Sequence, residues 1–176
     1  MRNAEGKRPL KNIDPSQATD LASSIKNRLK GHTAIVGIGN ILRGDDGLGP
    51  RLIESLRARR VKADAFDCGT APENYIFPIL STSCDTVILI DAADLGTEPG
   101  SAKVFGLDEI SNVSFSTHNP SPRLFTDLLK TGKDNINIFV VSIQPKKTAL
   151  GESLSEEVKR GVEALVDIFA DIFGTL

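Results

Sequence analysis

Two adjacent carboxylates, Asp45 and Asp46, lie in the glycine-rich stretch GNILRGDDGLGP (39–50), just after a short apolar run. Many α/β proteins place a phosphate-binding loop there, at the start of a helix. Two carboxylates would repel a phosphate, while the positive end of the following helix favours them, so the loop suits a cation. The dinucleotide fingerprint G-x-G-x-x-G also fails, because Gly37 and Gly39 are followed by Leu42 at the sixth position. Neither a G-K-[ST] phosphate loop nor a G-x-S-x-G nucleophile elbow is present. A third carboxylate, Asp91, directly follows the apolar run VILI (87–90), and His118 lies in the loop FSTHNPSP (115–122). His32 precedes the first strand and belongs at the opposite edge of the sheet, so only His118 can join the carboxylates. Two carboxylates and one imidazole form a mixed oxygen and nitrogen set suited to a borderline divalent metal such as nickel, zinc or iron. Each residue also has a plainer reading. One of Asp45 and Asp46 can cap a helix while the other is solvated, Asp91 can cap a turn, and His118 can bond to backbone.

The elements that must position these residues alternate between strand and helix. TAIVGIG (33–39), VKADAFD (61–67), TVILIDA (86–92) and INIFVVSI (136–143) read as strands, and GSAKVFGL (100–107) as a further strand that pairs antiparallel at an edge. GPRLIESLRARR (49–60), SPRLFTDLLKTG (121–132) and SEEVKRGVEALVDIFADIF (155–173) read as helices, with APENYIFPILST (71–82) a helix interrupted at Pro78. The closing helix carries an apolar stripe, Val158, Val162, Leu165, Ile168, Phe169 and Ile172. Strands that are apolar throughout and alternate with helices predict an α/β fold. The expected core is a mostly parallel twisted sheet of about five strands with helices on both faces. The crevice of such a sheet lies outside the carboxyl ends of its strands, where the segments holding Asp46 and Asp91 fall.

Ahead of this core, residues 14–31 predict an extra N-terminal helix. Asp14 would cap it, Pro15 fits the first helical position, Leu21, Ala22, Ile25 and Leu29 share one face, and Gly31 ends it. Residues 1–13 read as a flexible tail bearing Arg2, Lys7, Arg8 and Lys11, so the 176 residues form a single domain. A net charge of −2 gives no basic field for nucleic acid. No apolar run approaches the roughly 18–20 residues of a membrane span, and the N-terminus lacks the apolar segment of a secretory signal. Cys68 and Cys84 form no C-x-x-C pair and read as small buried side chains, consistent with a cytoplasmic protein.

GIGNILRGDDGLG, ILIDAAD, STHNPS and IQPK together resemble the maturation endopeptidases of nickel-iron hydrogenases, over most of residues 33–173. The resemblance implies a single cut near the C-terminus of the hydrogenase large-subunit precursor, made after nickel insertion. It also implies that an acid in the first loop, an aspartate after the third strand and a histidine in the later loop interact with nickel. By position these are Asp46, Asp91 and His118. Asp46 is preferred because the acid of the family is the second member of the pair, and Asp45 is left as the cap. IQPK resembles the subgroup that serves energy-converting, membrane-bound hydrogenases.

The expected catalytic and metal set is therefore Asp46, Asp91 and His118, with nickel supplied by the substrate and the isolated protein metal-free. Nickel would template the scissile bond, with Lewis-acid activation as a second role, and Asp46 or Asp91 would act as general base. The expected partner is the large-subunit precursor, and the chain is expected to be monomeric. Two other readings use the same residues: a nickel-binding docking module that does not cut, and a metallohydrolase with its own metal. Arg43 is expected to steer the substrate tail or pair with Asp45, and Asp94 to line the cleft or to be solvated.

Overall fold

The computed structural model describes residues 15–109, 114–115 and 122–176. The tail at 1–13, the cap assigned to Asp14, and His118 lie outside the described residues.

Five strands form one path, β2 (Asp64–Gly69), β1 (Thr33–Ile38), β3 (Thr86–Asp94), β6 (Asn137–Ile143) and β4 (Ala102–Gly106), in that spatial order. The first four run parallel, and β4 closes one edge antiparallel to β6, as the sequence predicts. Every residue of β1 is buried, as is all of β3 except Asp94, which is why these strands read as unbroken apolar runs. A two-residue strand, β5 (Ser114–Phe115), pairs antiparallel with Ala93 and Asp94 at the end of β3. Two residues are too few to show a period, so the sequence reading has β5 as loop.

Helices cover both faces. On one, α1 (Pro15–Lys26), α2 (Leu48–Ala58) and α5 (Glu156–Phe173) pack Ile25, Leu52, Ile53, Leu56, Leu165 and Phe169 against Ile35, Ile88 and Val141. On the other, α3 (Ile76–Ser81) and α4 (Pro122–Gly132) pack Ile79, Phe125 and Leu129 against Val36, Leu89 and Val140. Each fully buried aliphatic side chain contributes about 1.5–3 kcal/mol. The stripe on α5 is buried apart from Ile172, which packs at the margin. No helix among the described residues is long and apolar enough to cross a membrane.

Two helices differ from the sequence reading by more than a residue or two at an end. α1 stops at Lys26 rather than Gly31, because residues 28–30 descend to the amino edge of the sheet. There Asn137 Nδ2 donates to the Arg28 carbonyl (2.6 Å), and the Thr86 hydroxyl bonds both the amide and the carbonyl of Lys30. The break in 71–82 falls before Pro78. A 3-10 turn (Pro72–Tyr75) leads into α3, and Pro78 sits in the first turn of α3, where no amide donor is needed.

β1 lies between β2 and β3, so the chain leaves β1 to one side and returns to the other. This is the switch point at which an open α/β sheet parts its loops and leaves a crevice at the strands' carboxyl ends. α2 packs unusually close to β1 here: a Cβ at Gly49 would fall 2.2 Å from the Ile38 carbonyl oxygen, and one at Gly37 would fall 2.4 Å from that of Gly49. The close-approach glycine of the helix is thus Gly49, and Leu42 is left 62% exposed on the loop.

Candidate active site

The loop between β1 and α2 is shaped around the backbone of Asp46. Gly39 adopts φ +139°, and a Cβ there would lie 1.8 Å from the Asp46 carbonyl oxygen, so only glycine fits. The chain then turns through Asn40, whose side-chain oxygen accepts from the Leu42 amide (2.9 Å), and enters a 3-10 turn at Gly44–Gly47. The Asn40 amide donates to Asp46 Oδ2 at 3.0 Å. Asp46 is 2% exposed.

Asp91 enters from the neighbouring strand. It continues the fully buried run of β3 and is 1% exposed. Its Oδ1 accepts from the Ala92 amide at 2.7 Å, and its Oδ2 is buried with no hydrogen-bond partner among the described residues. Burial raises the Asp91 pKa well above the ordinary carboxylate value, the nearby charge of Asp46 raises it further, and the Ala92 amide only partly offsets the two. The structure thus brings Asp46 and Asp91 together as a buried like-charged pair at the switch point. Such a pair is costly unless a proton or a cation sits on it.

Asp45 has a different environment. It caps neither the 3-10 turn nor α2, whose N-cap positions, Arg43 and Gly47, make no side-chain capping bond. Its fully buried carboxylate instead accepts four hydrogen bonds from residues a hundred positions away. Oδ1 takes the Ser155 amide (2.6 Å), while Oδ2 takes the amides of Lys146 (2.8 Å) and Lys147 (2.9 Å) and the Ser155 hydroxyl (2.9 Å). The expectation that Asp45 is a local cap is therefore corrected. The backbone beside it is already held, since its own amide donates to the Lys147 carbonyl (2.8 Å), and the side chain is free to bind the far segment. Asp45 bolts the first loop to the IQPK segment and to Ser155, the N-cap of α5.

The residues of IQPK have structural duties. Gln144 Oε1 accepts from the Leu95 amide (2.6 Å) and fixes the turn that follows β3, and Lys146 and Lys147 present their amides to Asp45. Neither Gln144 nor Ser155 figures among the site residues expected from sequence. Ser155 is visible there only as the first residue of a helix, and no spacing rule links it to Asp45.

Other residues are settled by their surroundings. Arg43 makes no ion pair with Asp45, whose acceptor positions are filled by amides and a hydroxyl. Asp94 is exposed and accepts from the Gly96 amide (3.1 Å), closing a turn. Cys68 is 3% exposed, and burial, with a smaller push from Asp67, raises its thiol pKa to about 12, so it is no nucleophile at neutral pH. His32 sits at the amino edge, exposed and 2.7 Å from Asp64, away from the carboxylate pair. Among the described residues no group of three or more His, Cys, Asp or Glu is arranged to hold a metal.

A doubly covered, mostly parallel sheet with a buried carboxylate pair at its switch point defines an α/β domain whose site is built on carboxylates, with no Ser or Cys nucleophile among the described site residues. The family model of hydrogenase maturation proteases, HycI, matches residues 50–172. The chain belongs to the hydrogenase maturation protease family. The hydrogenase 3 maturation protease of Escherichia coli K12 is 31% identical over 130 residues, covering 73% of this chain and 82% of its own length. The crystal structure of the [NiFe] hydrogenase maturation protease HycI from Thermococcus kodakarensis superposes with a TM-score of 0.76 at 29% identity, over 85% of this chain and 98% of the other. The solution structure of the Escherichia coli endopeptidase HycI gives 0.72 at 28% identity, over 82% and 92%. The resemblance drawn from the sequence motifs is thereby confirmed, and with it the protease class: this chain is a hydrogenase maturation endopeptidase.

Proposed function

We propose that this endopeptidase removes the C-terminal extension of a nickel-iron hydrogenase large-subunit precursor, and that it recognises the nickel the precursor already carries. Asp46, Asp91 and His118 are the proposed contacts to that metal. The observation that carries the reading is the pair Asp46 and Asp91, with Asp91 Oδ2 buried and lacking a hydrogen-bond partner among the described residues. Carboxylate oxygens are hard donors suited to a divalent cation, and a cation would relieve the repulsion that holds the Asp91 pKa up. A pair that gains its counter-charge only with the loaded substrate discriminates loaded from empty precursor. In the empty enzyme the cost of burying two adjacent acids, whether as charge or as a retained proton, falls on folding, whereas in the complex the metal offsets it.

Substrate nickel supplies a template and Lewis-acid polarisation of the scissile carbonyl or of water. The residues of the chain do the rest. Asp46 is presented by a loop that the amide of Asn40 and the tie through Asp45 hold rigid. Asp91 or Asp46, through a carboxylate oxygen not engaged by the metal, is the group that takes a proton from water and returns it to the leaving amine. The sheet and its helices keep bulk water from both.

The test is incubation with nickel-loaded and nickel-free precursor, followed by intact mass measurement. Loss of a C-terminal fragment from loaded precursor only is expected, and equal cleavage of both forms overturns the reading. Asp91→Asn and His118→Ala are each expected to abolish cleavage of loaded precursor. Purified protein holding one tightly bound zinc per chain would instead establish a metallohydrolase with its own metal.

A further inference from the structure

Ser142 stands opposite Asp91 in the parallel register of β6 against β3. Residues paired in this way put their side chains on the same face of a sheet. The face is identified by the preceding residues: Val87 and Leu89 of β3, and Ile138 and Val140 of β6, all pack into the core beneath α3 and α4. Asp91 and Ser142 continue those two rows towards the carboxyl edge. Ser142 is fully buried, and its hydroxyl has no hydrogen-bond partner among the described residues. Burying a hydroxyl without a partner is unfavourable, and within the run FVVSI (139–143) alanine or valine would fill the place without that cost. Asp91 and Ser142 therefore stand side by side on adjacent strands, each with one buried polar atom, Oδ2 and Oγ, that is unpartnered among the described residues. Two neighbouring buried polar groups that do not bond each other directly are the setting for a bridging water.

We propose that Ser142 is a positioning residue of the cleavage site, its hydroxyl and Asp91 Oδ2 holding one water molecule between them and so fixing the orientation of the Asp91 carboxylate. The proposal rests on the reading of Asp91 as a site residue. A carboxylate oxygen has two lone pairs, so the bridge leaves one for the precursor's metal.

The test compares Ser142→Ala, Ser142→Thr and Asp91→Asn in the processing of loaded precursor, with melting temperatures and a crystal structure that resolves ordered water. For Ser142→Ala, kcat is expected to fall about ten- to a hundredfold through misplacement of Asp91. KM should stay as in wild type, and Tm unchanged or higher. Ser142→Thr, which keeps the hydroxyl, should recover most of the rate. The wild-type crystal should show a water within hydrogen-bond distance of both Asp91 Oδ2 and Ser142 Oγ, and the alanine variant should lose it. Wild-type kcat in Ser142→Ala with an inactive Asp91→Asn overturns the proposal and leaves the site reading standing. Wild-type kcat in Asp91→Asn overturns the site reading, and this proposal with it. A several-degree loss of Tm in Ser142→Ala marks a structural hydroxyl and also overturns the proposal, as does a wild-type crystal in which another side chain binds Oγ.

Discussion

Asp45 and Asp91 are both almost wholly buried carboxylates at the carboxyl edge of one sheet, yet the fold treats them in opposite ways. Asp45 receives three amides and a hydroxyl. Asp91 receives one amide and the repulsion of a neighbouring acid. A carboxylate given four donors is a structural tie, because its charge is stabilised where it stands and no atom remains for a ligand. A carboxylate left with one buried oxygen unpartnered among the described residues costs stability, and such an arrangement is retained where function needs it. The adjacent acids of one sequence motif thus divide the work, with Asp45 fixing the loop and Asp46 turned to the pair with Asp91.

The largest effect that would break this comparison concerns Asp45. Asp45→Ala strands the amides of Lys146, Lys147 and Ser155 and frees the first loop from α5. A loss of about 3–5 kcal/mol is expected by analogy with the breaking of other buried charged networks. Urea denaturation with unchanged m-value measures it, and a loss within about 0.5 kcal/mol would show that the four bonds do not hold the loop.

Removing the charge of Asp91 should act in the other direction. Asp91→Asn keeps the shape, removes the repulsion with Asp46 and lowers the cost of burial. The metal-free protein is expected to gain about 1–3 kcal/mol at neutral pH, while precursor processing is lost. Thermal denaturation beside a processing assay reads both. A destabilised Asp91→Asn would place Asp91 with Asp45 among the structural ties.

Much of this architecture was legible from apolar runs alone, because β1, β3 and β6 are buried on both faces and tolerate almost nothing polar. Asp91 was legible for the same reason, as an acid that ends such a run. What stayed hidden has a common cause. The tie from Asp45 to Ser155 spans 110 residues, the pairing of Asp91 with Ser142 spans 51, and both depend on which strands the topology sets side by side. Local spacing carries no trace of either. The two members of the DD pair are likewise indistinguishable by composition. Their separation in sequence came from a family resemblance, and their physical difference becomes visible only when the donors around Asp45 are counted. Gly49 was hidden differently, since the dinucleotide fingerprint looks for its close-packing glycine at position 42, and this chain places it seven residues later, inside α2.

The acid pair also fixes a pH dependence. The Asp91 pKa in the folded state is raised above the ordinary 3.8. Between those two values the native state holds a proton that the unfolded state has released, so the slope of stability against pH is negative. The contribution of Asp91 is fully present below the ordinary carboxylate range and is lost as pH rises through its folded value. Asp85, Glu156 and Glu157, held below their usual values chiefly by hydrogen bonds from Lys133, Lys159 and Lys146, slope the opposite way at the acid end. The difference between wild type and Asp91→Asn cancels those surface groups. Plotted against pH, the stability advantage of Asp91→Asn should grow from acid towards neutral, and a flat difference would mean that folding does not raise the Asp91 pKa.

The smallest effect expected is at Cys68, near the carboxyl end of β2. Its thiol is buried and raised to about 12, so almost no thiolate exists at neutral pH. Alkylating reagent applied to the folded protein at pH 7.5 should therefore leave Cys68 unmodified by intact mass and leave processing at the untreated rate, whereas denatured protein should take up label. Rapid labelling of the folded chain, with loss of processing in step, would mean that a thiolate stands at the crevice. The comparison between a carboxylate tie and a carboxylate site would then need a third participant.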